Sequence, residues 1–273
     1  MPELPEIETI CRGLRPHLEG RKIGRVQILE RRLRNLIDDH LADRLQGQTI
    51  ANVGRRAKYI LLSLEKKVTW VFHLGMSGKL IHVDPDTPRQ KHDHIIVSLD
   101  SGYQLRYHDP RRFGLSLLAG TDALGDLPQL ARLGPDPFDR RFNGQYLYSF
   151  TKNSQRRIRD LLLDQQIIAG LGNIYANEIL CRVGVRPTAR SSKLTRAKIE
   201  QIATMIPKIL DEAIRWCGTS FSDYRDADDK FGEFQNHLRV YDREGANCRI
   251  CPNLIKRVAI GNRSAFYCPS CQK

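Results

Sequence analysis

Four cysteines near the C-terminus constrain this chain more than any other feature. They fall as Cys248-x2-Cys251-x16-Cys268-x2-Cys271. Two Cys-x-x-Cys knuckles at that separation suit a tetrahedral zinc site capping a β-hairpin. A tail of about 25 residues cannot bury enough apolar surface to order itself, so the metal would stabilise it outright. Four thiolates leave no coordination position for water, and one zinc ion held this way is structural. The other cysteines, Cys11, Cys181 and Cys217, lie on apolar faces of helical segments and read as core residues.

The metal module is also basic. It carries Arg249, Lys256, Arg257, Arg263 and Lys273, with no acid from residue 248 onward. The turn Ile260-Gly261-Asn262-Arg263-Ser264 would hold Arg263 out on a tip. A second basic block, residues 152–198, has ten Lys and Arg against three acids. The whole chain has 44 Lys and Arg against 31 Asp and Glu, a formal charge of +13 over 273 residues. That balance points to a polyanionic partner, either nucleic acid or an anionic surface. No apolar run approaches the roughly 20 residues that span a bilayer. The N-terminus has acids where a signal peptide needs basic residues. A cytoplasmic, nucleoid-associated protein is expected.

Hydrophobic spacing divides the chain. Ile7, Ile10, Leu14 and Leu18 share one face of a helix from Pro5 to Leu18, with Gly20 as its stop. Short strand-like runs follow at 22–29, 49–53, 59–64, 68–74, 79–83, 95–99, 104–107 and 115–118, the rhythm of an antiparallel sandwich or barrel. A short helix at 122–133 precedes the breaker Gly134-Pro135-Asp136-Pro137. Helical segments then run at 155–163, 173–183 and 195–217, the last with Pro207 expected to kink it. A polar segment at 219–234 is expected to be a mobile loop. The domains expected are 1–133, a linker at 134–150, a helical domain at 151–235 and a zinc finger at 236–273. The fold class is α+β multidomain.

Several stretches carry chemistry. Pro2 follows a methionine whose removal is expected, exposing a secondary amine that titrates at about 7.7–8.0 and is a good nucleophile in its neutral form. Glu3 and Glu6 place carboxylates beside it, though the same residues also suit a helix start. Lys58 stands at the entrance to a strand. Met76 lies between glycines in His73-Leu74-Gly75-Met76-Ser77-Gly78, where a core methionine is out of place. Arg111 and Phe113 share the turn His108-Asp109-Pro110-Arg111-Arg112-Phe113-Gly114. Exposed apolar wedges around an arginine suit insertion into a base stack from which a nucleotide has been flipped; both side chains packing inward is the alternative. Gly170-Leu171-Gly172-Asn173 leads into a helix whose first amides suit a phosphate, with Asn173 as a further donor.

Taken in order, Pro-Glu-Leu-Pro-Glu at the start, Arg-Arg-Ala-Lys-Tyr at 55–59, His-Leu-Gly-Met-Ser-Gly at 73–78, Asp-Pro-Arg-Arg-Phe-Gly at 109–114, Gly-Asn-Ile-Tyr-Ala at 172–176 and the Cys₄ finger span all 273 residues. Together they resemble the formamidopyrimidine-DNA glycosylase (Fpg/Nei) base-excision repair family. The resemblance implies an N-terminal antiparallel β-sandwich with flanking helices, a helix–two-turn–helix domain and a β-hairpin zinc finger. It also implies excision of oxidised purines, 8-oxoguanine and formamidopyrimidines, from double-stranded DNA, with β,δ-elimination at the abasic site, by a monomer with one zinc. Pro2 would be the Schiff-base nucleophile and Glu3 the acid and base. Lys58 would contact phosphate and assist β-elimination. Arg263 would grip the phosphates beside the lesion and assist δ-elimination, with Asn173 beside it. His92 and Arg111 would contact DNA, and Met76, Arg111 and Phe113 would fill the gap left by the flipped base. Asn153, Ser154 and Arg159 depart from the family's lysines, and Lys230-Phe231-Gly232-Glu233-Phe234 departs from its usual Lys-Pro-Gly-Tyr-Phe. An endonuclease VIII-like enzyme for oxidised pyrimidines and a non-catalytic zinc protein that recognises damaged DNA are the alternatives.

Overall fold

The computed structural model describes residues 2–220, 227 and 230–273, so Met1 and half of the segment expected to be a mobile loop lie outside the described residues. The chain forms two compact units, one of residues 1–131 with 214–235 and one of 132–213 with 236–273.

The first unit opens with α1 (Leu4–Leu18), ended by Glu19 and by Gly20 at φ +77. After it come β1 (Ile23–Ile28), α2 (Leu41–Leu45), β2 (Ile50–Arg56), β3 (Tyr59–Leu64) and β4 (Val68–His73), then β5 (Lys79–Val83), β6 (Asp93–Leu99), β7 (Gln104–His108) and β8 (Leu115–Gly120). These strands make two four-stranded antiparallel sheets, ordered β1-β6-β7-β5 and β2-β3-β4-β8. Alternate burial along β3 follows from its period-two pattern, with Ile60, Leu62 and Leu64 facing in. They join Trp70 and Phe72 of β4, Val97 of β6 and Tyr107 of β7 in one core that also takes in Ile7, Ile10 and Leu14 of α1. Phe72 and Tyr107 meet across the two sheets with ring centroids 5.6 Å apart.

Strand β2 is an edge, and α1 closes it with side chains rather than a further strand. Arg15 Nε donates to the Val53 carbonyl (2.9 Å), Glu19 accepts from the Val53 N–H (2.9 Å), and the Cys11 thiol donates to the Gly54 carbonyl (3.2 Å). Three edge groups are thus satisfied, which blocks pairing with another chain. Cys11 is buried as expected, and burial pushes its thiol up to about 12. The expected helix at 122–133 divides into a 3₁₀ turn, Thr121–Asp126, and the short α3 (Pro128–Ala131).

In the second unit, α4 (Gly144–Thr151) begins inside the stretch expected to be linker, capped by Asn143, whose side chain accepts from the Tyr146 N–H. Then come α5 (Ile158–Leu162), α6 (Asn173–Arg182) and α7 (Arg196–Arg215). Helix α7 runs on through Pro207, and its C-terminal residues belong to the first unit. Cys217, just past its end, is exposed with φ +56; it is not a core residue, because the helix has already stopped and no longer presents its apolar face there. The turn between α5 and α6 is tied by Gln165, which accepts from the Gly170 N–H (2.9 Å) and donates to the Leu171 carbonyl (2.7 Å), with Gly170 at φ +93. The C-terminal module pairs β9 (Lys256–Ile260) with β10 (Arg263–Tyr267). No helix among the described residues is long and apolar enough to cross a membrane.

Candidate active site and nucleic-acid interface

At the start of α1, local chemistry fixes the backbone beside Pro2. Glu3 is the N-cap, and its own N–H donates to Glu6 Oε2 at 2.8 Å. The other oxygen, Glu6 Oε1, accepts the N–H of Thr219, also at 2.8 Å. One buried carboxylate therefore fastens the N-terminal residues to the start of the 219–234 segment. Gly218 is required at this junction: it sits at φ +78, and a Cβ there would stand 2.9 Å from Glu6 Cγ. The far end of the segment returns to the same place, with the Glu233 N–H on the Trp216 carbonyl and the Phe234 N–H on the Gly218 carbonyl, both 2.9 Å. Pro2 and Glu3 are themselves buried.

Lys58 is 6% exposed, so it is not the plain surface charge that a strand-entrance lysine suggests. It lies in the two-residue turn between β2 and β3, after Ala57 at φ +53. Arg55, paired with Glu8 at 3.1 Å, holds the Ala57 carbonyl at 3.2 Å and keeps that turn in shape. His73, opposite Tyr59 on β4, is pulled down to about 4, first by burial and then by the charges of Lys58 and Arg34. Its Nδ1 accepts the Gly75 N–H at 3.0 Å, as a neutral ring does.

Met76 and Phe113 are exposed, 40% and 48%, and do not pack inward. Asp109, fully buried, locks their two loops together. Its Oδ1 accepts from Ser77 (2.7 Å), and its Oδ2 accepts from the Gly114 N–H (2.9 Å) and the Tyr107 hydroxyl (3.1 Å). Ser77 in turn accepts the Arg111 N–H at 3.3 Å, and the Arg111 guanidinium lies 4.7 Å from the Phe113 ring centroid. The two wedges with Arg34, His73 and Gly75 line a cavity of about 340 Å³. His92, half-buried, ties in through its carbonyl, which accepts the Asp109 N–H; its imidazole is held below the usual range, first by burial and then by His108.

In the second unit the four cysteine Sγ atoms lie within 4.8 Å of one another, three of the pairs at 3.4, 3.5 and 3.9 Å. A zinc ion with Zn–S bonds of about 2.3 Å requires tetrahedral S···S edges of about 3.8 Å. The donor set fits one structural zinc. The N–H groups of Ile250 and Cys271 point at Cys248 Sγ and Cys268 Sγ, bonds that stabilise thiolates. Arg263, the first residue of β10, is exposed after the turn at Gly261 (φ +59) and Asn262.

The hairpin is docked on α6 by side chains. Asn173 Nδ2 donates to the Ser264 carbonyl (3.0 Å), and Asn177 Oδ1 accepts the Phe266 N–H (2.8 Å). Glu178, fully buried, accepts the N–H groups of Arg239, Val240 and Tyr241 at 2.9–3.0 Å. Asn173, expected as a phosphate donor, thus spends one amide hydrogen on the finger. Sequence reasoning missed Asp109, Asn177 and Glu178 as organising residues, and gave Glu6 only a carboxylate near the amine.

Three family models match the chain: the formamidopyrimidine-DNA glycosylase N-terminal domain over residues 1–116, the formamidopyrimidine-DNA glycosylase H2TH domain over 133–225, and a zinc finger found in FPG and IleRS over 247–273. Curated formamidopyrimidine-DNA glycosylases of Hahella chejuensis and Thioalkalivibrio sulfidiphilus are 43% and 44% identical, covering all of both chains. Among solved structures, a Lactococcus lactis FPG mutant in complex with a Fapy-dG containing DNA matches with TM-score 0.93 and 33% identity over the whole of both chains. Lactococcus lactis Fpg with an abasic-site DNA matches with TM-score 0.93 and 32% identity over 99% of each. The chain belongs to the formamidopyrimidine-DNA glycosylase family.

Proposed function

We propose that the protein is a bifunctional DNA glycosylase and AP lyase that removes oxidised purines from double-stranded DNA, acting as a monomer in the bacterial cytoplasm, on the nucleoid. The observation that carries this reading is the N-terminal geometry: a proline whose amine becomes free when Met1 is removed, next to a buried carboxylate, with the Glu3 backbone clamped by Glu6. The neutral Pro2 nitrogen attacks C1′ of the damaged nucleotide, and the C1′–N bond breaks as the base leaves with a proton. The resulting iminium makes the C2′ proton acidic. Removal of that proton, with Glu3 as base, expels the 3′ phosphate by breaking the C3′–O bond, and a second elimination breaks the C5′–O bond. Water then hydrolyses the imine and returns the amine. Lys58 and Arg263 neutralise the departing phosphates, and Asn173 and His92 hold the backbone. Met76, Arg111 and Phe113 occupy the space of the flipped nucleotide. The zinc, held by Cys248, Cys251, Cys268 and Cys271, orders the hairpin that presents Arg263.

Borohydride trapping on an 8-oxoguanine·C duplex tests this reading. A covalent adduct mapped by mass spectrometry to a chain that begins at Pro2 supports it. No adduct on 8-oxoguanine or abasic DNA refutes it. Glu3→Gln is expected to keep DNA affinity while losing base excision; lost binding would instead mark Glu3 as structural.

A further inference from the structure

Arg159 lies at the first turn of α5 with only 1% of its surface exposed, yet it is one of the most polar side chains in the protein. Its Nε and Nη2 both donate to Asn173 Oδ1, at 3.2 and 2.7 Å, and Nη2 also reaches the Ser264 carbonyl at 3.3 Å. That carbonyl takes Asn173 Nδ2 as well, so guanidinium, amide and strand carbonyl close a triangle. The fork leaves the Asn173 amide one orientation, because the reverse would set donors against donors. The carbonyl that completes the triangle belongs to the residue directly after Arg263.

A buried cation is costly unless paired. Arg159 pairs with Asp160 at 3.4 Å, and that carboxylate is partly exposed. A neutral side chain could cross-link α5 to the hairpin without that cost. The guanidinium instead lies at the wall of a cavity of about 500 Å³ shared with Arg156, Arg157, Asn262 and Arg263. Burial holds its ionisation below the usual range; the charge of Arg263 acts in the same direction and Asp160 opposes it. The two arginines are therefore electrostatic neighbours.

We infer that Arg159 is a positioning residue for the lyase reaction: through Asn173 and the Ser264 carbonyl it fixes the hairpin turn so that Arg263 meets the phosphate expelled in the second elimination. This inference rests on the proposed role of Arg263. It predicts that Arg159 acts on the partition between β- and δ-elimination products, not only on stability.

The test uses the zinc-loaded full chain on a duplex with one abasic site, reading the ratio of δ to β product in single turnover beside zinc content and thermal midpoint. Arg159→Met keeps the length of the stem but donates to neither Asn173 Oδ1 nor the Ser264 carbonyl. It is expected to lower the ratio at least about tenfold, the worth of a charge-assisted hydrogen bond, with one zinc and a near-normal midpoint. In an Asn173→Ala background, where the triangle is already broken, Arg159→Met is expected to lower the ratio no further. An unchanged ratio overturns the inference. So does a lowered ratio that comes with zinc loss or a large fall in midpoint, and so does additivity in the double variant. Arg263→Gln separates the two readings: if it leaves the product ratio unaltered, the role of Arg263 fails whatever Arg159 does.

Discussion

Glu6→Gln is the most informative single perturbation. Each oxygen of the Glu6 carboxylate takes one buried N–H at 2.8 Å, from Glu3 on one side and Thr219 on the other. A glutamine has the same shape but one oxygen and one NH₂ group, so it serves only one of the two. The other N–H faces a donor. Two charge-assisted bonds of about 1.5–3 kcal/mol each become one neutral bond of about 1 kcal/mol and one orphaned buried group, a loss of at least about 3 kcal/mol at this junction. Movement of Gly218 toward the gap offers little relief, because Gly218 already packs on the Glu6 side chain. The Glu3 tie is one peptide bond from the proposed nucleophile, the Pro2 nitrogen, where a displacement of about 1 Å costs on the order of 10²-fold in rate. Single-turnover borohydride trapping on abasic DNA should therefore slow about 100-fold. Hydrogen exchange should show lost protection at the Glu3 or Thr219 amide, and affinity for uncleaved DNA should hold. Trapping within about twofold of the unsubstituted protein, with both amides still protected, would refute the view that this clamp places the nucleophile.

Other outcomes follow from the same structure. His73 is pulled to about 4 from an ordinary 6.5, so the unfolded state binds more protons in that window. Stability from this group is complete above about pH 6.5 and is lost as pH falls toward 4, about 3 kcal/mol in all. His73→Asn keeps an acceptor near the Gly75 N–H and should flatten the slope of thermal midpoint against pH in that range; an unchanged slope contradicts the assignment. Gly114→Ala should destabilise by about 3 kcal/mol, because the new Cβ would overlap the Tyr107 hydroxyl, which donates to Asp109, and crowd the His73 carbonyl; a normal midpoint in thermal unfolding would count against it. Removing zinc with a chelator should weaken DNA binding at least about tenfold and flatten its salt dependence, while amides of β2, β3 and β4 stay protected. Metal-free protein with full affinity would show that the finger's arginines do not bear on DNA.

What could be read from the sequence and what could not divide on a physical line. The zinc cysteines were legible because their spacing encodes a local geometry, and the sandwich strands because short apolar runs recur at regular spacing with Gly, Asp and Pro between several of them. That a carboxylate lies beside Pro2 was legible because adjacency in sequence already gives adjacency in space. The anchors behave otherwise. Glu6 meets Thr219 across 213 residues, Glu178 meets Arg239 across 61, and Arg159 meets Ser264 across 105. In sequence each is an ordinary polar residue on a helix, and only the distant N–H or carbonyl gives it a purpose. Cys217 erred in the opposite sense, because its apolar periodicity continued past the residue where the helix ends. The same division bears on function. Motif residues suggest the reaction, while on the proposed reading the buried partners set how closely Pro2 or Arg263 meets its target. A conservative change in such a partner, one that keeps size and polarity, should therefore alter rate and product ratio before it alters binding.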